Sequence, residues 1–116
     1  GEEERDLLHV NDLCRFVQAA ISKQTQPYRL YNCGLGKAHA VIDVVKKIIE
    51  ASGKSLKIEH DLSKPTIKTS LSLDCTLAKE ELGWQPEISL EQGIEDTAKW
   101  WAEHISPDTL AIKQAA

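Results

Sequence analysis

The amino-acid sequence predicts an α/β fold, a small mixed sheet with about four helices. The clearest evidence is a stripe of apolar residues at helical spacing from Val41 to Ile49, opposite a charged face. Short segments in which polar and apolar residues alternate lie between the helical segments and indicate strands. The resulting order of strand, helix, strand, helix, strand, helix and helix is typical of a mixed α/β unit.

The predicted strands are all short. They are Asp6–Val10, Tyr28–Cys33 and Leu56–His60, and Leu71–Leu73 could also be extended. The second ends at Gly34-Leu35-Gly36, where glycine favours a turn. These segments leave room for only a small sheet.

The four helices are predicted from helical spacing and from capping residues. They run from Asn11 to Ser22, from Val41 to Ser52-Gly53, from Asp74 or Thr76 to Leu82, and from Ser89 onward. Asn11 is the expected cap of the first helix, and Gly83 ends the third. Ser89 and Gln92 match a capping box, in which the two side chains satisfy amide groups reciprocally.

The composition is that of an ordinary globular protein. Of the 116 residues, 41% are hydrophobic and 28% charged, and no apolar run approaches the length of about 20 residues that crosses a bilayer. A soluble, cytoplasmic protein with no membrane partner is expected. The net charge of −4 argues against nucleic acid as a partner, because phosphate binding needs a basic face.

Cysteines and histidines give no metal or disulfide pattern. Cys14, Cys33 and Cys75 are odd in number and far apart, so they are interpreted as small buried hydrophobic residues. The four histidines are scattered without the spacing of metal ligands.

Two further motifs each allow a functional and a structural interpretation. Gly34-Leu35-Gly36 could bind a dinucleotide, but His39 replaces the third glycine, so a tight turn is favoured. The tryptophans Trp84, Trp100 and Trp101 could stack on a sugar, but core packing is favoured for Trp84 and Trp101.

Polar residues at element junctions are the remaining candidates. They are Arg5-Asp6 near the first strand, and Lys64, Lys68, Thr69 and Ser70 in the loop before Asp74. A salt-bridged loop would explain them equally well. The residues considered one by one therefore leave the function open.

Four segments, in order and at matching spacing, resemble one family. They are Gly1 to Asp12 (G-x-x-x-R-D-[FYL]-[IVL]-[HY]-V-x-D), Tyr31 to Gly36 (Y-N-x-G-x-G), Leu73 to Pro86 (L-D-x-S-K-A-x-x-x-L-G-W-x-P) and Ser89 to Ile94 (S-L-E-x-G-I). The pattern is similar to that of extended short-chain dehydrogenases/reductases, the NAD(P)-dependent nucleotide-sugar epimerases and dehydratases of the UDP-glucose 4-epimerase-like type. The resemblance covers about residues 1 to 101.

The resemblance implies a C-terminal fragment of an extended Rossmann-type enzyme. Residues 1–105 are expected to be its substrate-binding subdomain, and residues 106–116 a frayed tail. NAD or NADP would be held by an N-terminal Rossmann domain, with no cofactor site in this chain. Neither tyrosine of this chain begins a Y-x-x-x-K pair, so no catalytic residue is expected and the isolated chain should be inactive.

The expected ligand is a nucleotide-diphosphate sugar. In the family, the arginine of the R-D run contacts the diphosphate, and Arg5 occupies that position. Lys64 stands where a second basic residue is common, and Lys64, Ser70 and Asp74 complete the expected substrate-binding set. The resemblance leaves open whether the sugar is epimerised, dehydrated or reduced.

The alternative is a free-standing, non-catalytic binding or interaction module on the same scaffold. An upstream reading frame with a glycine-rich turn and Y-x-x-x-K would favour the enzyme part, and a start codon just before Gly1 would favour the module. In the family, the Y-N-x-G strand is an outer strand of the cofactor-binding sheet, and the helix after the R-D run packs beside that sheet. Tyr28–Cys33 and the apolar face of the first helix are therefore expected to lack these neighbours in the isolated chain. The isolated chain is therefore expected to form a homodimer through them, or to repack the first helix onto the second.

Overall fold

The computed structural model describes residues 1–64 and 67–105, so the predicted tail lies outside it. Within these residues the chain forms two strands and four helices. In order, they are β1 (Glu4–Asp6), α1 (Val10–Lys23), β2 (Ala38–Ala40), α2 (Val41–Ala51), α3 (Thr76–Leu82) and α4 (Leu90–His104). The α/β class and the four helices are confirmed.

The sheet is small and centred on β1. β1 pairs antiparallel with β2, with Arg5 opposite His39. Glu4 also forms a parallel bridge with Ser70, in which the Glu4 N–H donates to the Thr69 carbonyl at 2.9 Å. The sheet of the described residues is therefore a two-stranded antiparallel pair with one isolated parallel bridge beside it, and not the mixed sheet that was predicted.

The predicted strand positions were mostly wrong. β1 lies at Glu4–Asp6 rather than Asp6–Val10, and β2 was not predicted, because strands of three residues are too short to show alternation. Tyr28–Cys33 and Leu56–His60 do not form strands. Within the described residues, no backbone hydrogen bond joins residues 28–33 to another segment, and a strand needs a partner.

The helix boundaries agree with the prediction to within about a residue or two. Gly83 ends α3 with a φ of 61°, the left-handed conformation that glycine adopts readily. The cap of α1 was wrong: His9, not Asn11, is the N-cap, and its side chain accepts a hydrogen bond from the Asn11 N–H. Because α1 begins at Val10, Asn11 lies inside the first turn.

The predicted capping box of α4 is only half formed. Ser89 Oγ accepts a hydrogen bond from the Gln92 N–H at 3.2 Å, as expected. The Gln92 side chain does not return to Ser89, because it donates to Asp96 Oδ1 one turn further on at 2.9 Å. Residues four apart on a helix are neighbours, so the Gln92 side chain can reach Asp96 as readily as the cap residue Ser89.

The core is small and lies between α1 and α3. Ala78, Leu82 and Trp84 are buried, and the ring of Phe16 from α1 meets Trp84 edge to face, with centroids 5.2 Å apart. Trp84 is thus a core residue, as predicted. Trp101 was also predicted to be a core residue, and this was wrong, since 50% of it is exposed.

The cysteines divide into two groups. Cys33 and Cys75 are half-buried against the core, and burial raises the pKa of the Cys33 thiol to about 11. They behave as the small hydrophobic residues that were predicted. Cys14 is exposed on α1, so the prediction was wrong for it.

α1 has a second apolar face that the described residues leave open. Its exposed members are Val10, Leu13, Val17 and Ile21. α1 packs on α3 while α2 packs on α4, so the predicted repacking of α1 onto α2 is wrong. Association through this face stays a prediction. None of the described helices has the length and hydropathy to cross a bilayer.

Candidate functional site

Arg5 projects from β1 toward the loop that precedes α3. Its Nη1 donates to the backbone oxygens of Glu4 at 2.8 Å and Thr69 at 3.1 Å, and to Thr69 Oγ1 at 2.9 Å. Ser70 is the partner of Glu4 in the parallel bridge, so it lies in the same place. The structure therefore brings together two of the four predicted site residues, Arg5 and Ser70.

Asp74 has a structural role at the start of α3. Its Oδ1 accepts a hydrogen bond from the Thr76 N–H at 2.9 Å, and hydrogen bonds from Thr76 lower the pKa of the carboxyl group. Its backbone oxygen accepts a hydrogen bond from Asn32 Nδ2 at 3.0 Å. No hydrogen bond within the described residues links Asp74 to Arg5.

The two lysines of the loop lie on the surface. Lys68 forms an ion pair with Glu2, and both side chains are largely exposed. Lys64 is exposed, and among the hydrogen bonds and ion pairs of the described part of the chain, none joins it to Arg5. The structure thus places Arg5, Thr69 and Ser70 together and does not bring Lys64 into contact with them.

Asp6 organises this region, and sequence analysis did not assign it that role. Its Oδ1 accepts a hydrogen bond from the Leu35 N–H at 2.6 Å, and its Oδ2 accepts from the N–H groups of Gly36 and Leu73, each at 3.0 Å. A side chain at Gly34 would not fit, since its Cβ would lie 2.7 Å from Asp6 Oδ2. The Gly34-Leu35-Gly36 turn is therefore wrapped around a carboxylate, which agrees with the tight turn favoured from the sequence.

Asp12 is a second structural carboxylate that sequence analysis missed. It is fully buried in the first turn of α1, where it accepts hydrogen bonds from the backbone N–H groups of Glu87 and Ile88 and pairs with Arg15. Burial alone would raise the pKa of Asp12, but the hydrogen bonds from Arg15, Ile88 and Glu87 outweigh burial and lower it. Trp84 Nε1 also donates to the Asp12 backbone oxygen at 3.1 Å.

The segments of the resemblance meet through these contacts. Asp6 links the first segment to the second and third, and Asp12 links it to the end of the third. His9 packs against Gly93 of the fourth, where a Cβ would lie 3.1 Å from its ring. The signal that could have found both aspartates is that each stands at a fixed place in the first motif.

The electrostatic character of this site comes from Arg5. Arg5 supplies a permanent positive charge, and one edge of its guanidinium is already fixed by oxygen acceptors. Among the described residues, no group of histidine, cysteine and carboxylate side chains is arranged to hold a metal ion.

Comparison with known proteins gives consistent matches. The family model described as GDP-mannose 4,6 dehydratase matches residues 1–97. UDP-glucuronate 4-epimerase from Thermodesulfobacterium geofontis is 33% identical over 107 residues, which cover 90% of this chain and 32% of that protein. The chain thus spans about a third of the length of this relative.

Solved structures are likewise matched over about a third of their length. UDP-glucose 4-epimerase from Thermotoga maritima with UDP-glucose has a TM-score of 0.76 and 30% identity, over 91% of this chain and 34% of that one. The enzyme of the same name from Bifidobacterium longum, in complex with NAD+ and UDP, has a TM-score of 0.80 and 25% identity, over 92% of this chain and 32% of the other.

Proposed function

This chain belongs to the NAD-dependent nucleotide-sugar epimerase/dehydratase family, and on that premise we propose that it is the C-terminal, substrate-side part of such an enzyme. In this role it binds a nucleotide-diphosphate sugar and holds it over a cofactor bound by another domain. The observation that carries the proposal is Arg5, a cation held on β1 beside Thr69 and Ser70. Solved relatives of similar fold are complexes with UDP or UDP-glucose.

Arg5 is the residue best suited to the diphosphate. A guanidinium group matches phosphate oxygens with two parallel N–H bonds, and such charge-assisted bonds are stronger than neutral ones. Its anchoring by Glu4 and Thr69 means that little side-chain freedom is lost when a ligand binds. Lys64 can add only a point charge from an exposed position.

The cofactor-binding domain is the proposed partner of the chain. The exposed apolar face of α1, with Leu13, Val17 and Ile21, offers a surface that a second domain could cover. Residues 28–33 add a segment that has no backbone hydrogen bond to any other segment in the described part of the chain. Together these two features would pack against the sheet that carries NAD or NADP.

The first test measures UDP binding to this chain by titration calorimetry. We expect Arg5→Ala to weaken binding by at least about tenfold, because a charged hydrogen-bond partner is lost. Lys64→Ala should weaken it less, by about threefold or under, because that side chain is exposed. NAD should show no micromolar binding to the chain alone.

Two results would contradict the proposal. Equal affinity of the Arg5→Ala variant and the unchanged chain would remove the basis of the diphosphate site. Micromolar NAD binding would mean that the Gly34-Leu35-Gly36 turn is more than a structural turn. Circular dichroism of each variant controls for loss of folding.

A further inference from the structure

Thr69 is the main contact of the Arg5 side chain. Both of its oxygens accept hydrogen bonds from Arg5 Nη1, the carbonyl at 3.1 Å and Oγ1 at 2.9 Å. The same carbonyl also accepts the Glu4 N–H at 2.9 Å, in the bridge between β1 and the loop. The side chain of Arg5 is thereby tied to the backbone pairing that holds the loop in place.

The hydrogen bonds of Arg5 within the described residues all use Nη1, so the opposite edge of the guanidinium is available to a ligand. A guanidinium has five N–H groups in a rigid plane, so fixing Nη1 fixes the direction of Nη2 and Nε. No hydrogen bond within the described residues uses Nη2 or Nε of Arg5. These two atoms form the fork that can meet two oxygens of one phosphate.

We propose that Thr69 is a positioning residue, which holds the Arg5 guanidinium ready for the diphosphate of the ligand by accepting Nη1 with its hydroxyl oxygen. This inference rests on the proposed function, in which Arg5 contacts the diphosphate. Thr69 itself does not touch the ligand. Its hydroxyl oxygen and its carbonyl together stop the arginine from turning away into solvent.

The decisive variants are Thr69→Val and Thr69→Ser. Valine has nearly the shape of threonine but no hydroxyl acceptor, whereas serine keeps the hydroxyl and loses only a methyl group. We expect Thr69→Val to weaken UDP binding about three- to tenfold, since the cost of ordering Arg5 then falls on the binding step. Thr69→Ser should bind within about twofold of the unchanged chain.

A second readout needs no ligand. The Nε–H resonance of Arg5 in an NMR spectrum should be sharp in the unchanged chain and in Thr69→Ser, and should broaden or shift in Thr69→Val. Arg15 and Arg29 are internal references, because their guanidinium groups pair with Asp12 and with Glu81 rather than with Thr69. A merely structural role of Thr69 would not alter the Arg5 resonance selectively.

The outcomes separate this inference from the proposed function. If Arg5→Ala weakens UDP binding but Thr69→Val binds as well as Thr69→Ser, the positioning role is wrong and the diphosphate site stands. An Arg5 resonance that is identical in all three chains also overturns the positioning role. If Arg5→Ala changes nothing, the proposed function itself fails.

Discussion

At the scale of single residues, two aspartates have the same role, which is to hold distant loops by accepting hydrogen bonds from their backbone N–H groups. Asp6 and Asp12 each accept backbone N–H groups from loops distant in sequence, between 29 and 76 residues away. A carboxylate can accept several such bonds at once, so one residue can replace a stretch of strand pairing. Leu73 shows this directly, because its N–H donates to Asp6 Oδ2 where a carbonyl of β1 would otherwise serve.

Asp12→Asn tests this at the buried site. The variant loses the charge that pairs with Arg15, and an amide group cannot accept with both of its terminal atoms. We expect the free energy of unfolding to fall by about 2 to 4 kcal/mol, measured by urea denaturation. Asp43→Asn, at an exposed carboxylate near Lys46, is the control and should change stability by less than about 0.5 kcal/mol.

The pH dependence of stability should differ between Asp12→Asn and the unchanged chain. The pKa of Asp12 is lowered in the folded state. Its contribution is therefore present above the unfolded pKa of about 3.9 and is lost as the pH falls through the folded value. The midpoint temperature of thermal unfolding should therefore fall less steeply between about pH 5 and pH 2 in Asp12→Asn than in the unchanged chain. Parallel curves for the two chains would show that another carboxylate dominates acid unfolding.

At the scale of elements, the helices are stabilised locally and the strands are not. Each helix closes its own backbone hydrogen bonds, so its position can be predicted from spacing and caps. β1 and β2 have three residues each and form by pairing with each other, with one further bridge from Glu4 to Ser70. The short strands therefore depend on contacts that local sequence does not show.

The cap of α4 gives a test at this scale. Ser89→Ala removes the side-chain oxygen that accepts the Gln92 N–H, and we expect a loss of about 1 kcal/mol in the free energy of unfolding. Gln92→Ala should cost less, about 0.5 kcal/mol or under, because its side chain contacts Asp96 on the same helix and not the cap. Equal losses would mean that the reciprocal half of the capping box forms in solution.

At the scale of the whole molecule, the described chain buries little and exposes much. The large hydrophobic residues Leu82, Trp84 and Leu90 are buried. Val10 and Ile21, by contrast, are each more than half exposed. An apolar surface of this kind usually marks an interaction site. In the proposed enzyme the cofactor-binding domain covers it, and in the isolated chain a second copy is the available cover.

We therefore expect the isolated chain to associate as a dimer through the outer face of α1. Sedimentation velocity should show a sedimentation coefficient that rises with concentration, and Val17→Asp should abolish the rise because it places a charge in the apolar face. Thr97→Asp, which adds the same charge at an exposed position of α4, is the control and should still associate. A chain that stays monomeric at every concentration would contradict this prediction.

The sequence by itself determined the α/β class, the four helices, the turn at Gly83 and the family, because these depend on local spacing or on short motifs read in order. It also identified Arg5 as a candidate polar residue, although its expected diphosphate role came only from the resemblance. The tertiary structure decided where the strands are, that Trp101 is exposed while Trp84 is buried, and that Asp12 is a buried hydrogen-bond acceptor. These features arise from contacts between residues far apart in the chain, and neither spacing nor polarity within a short window records such contacts.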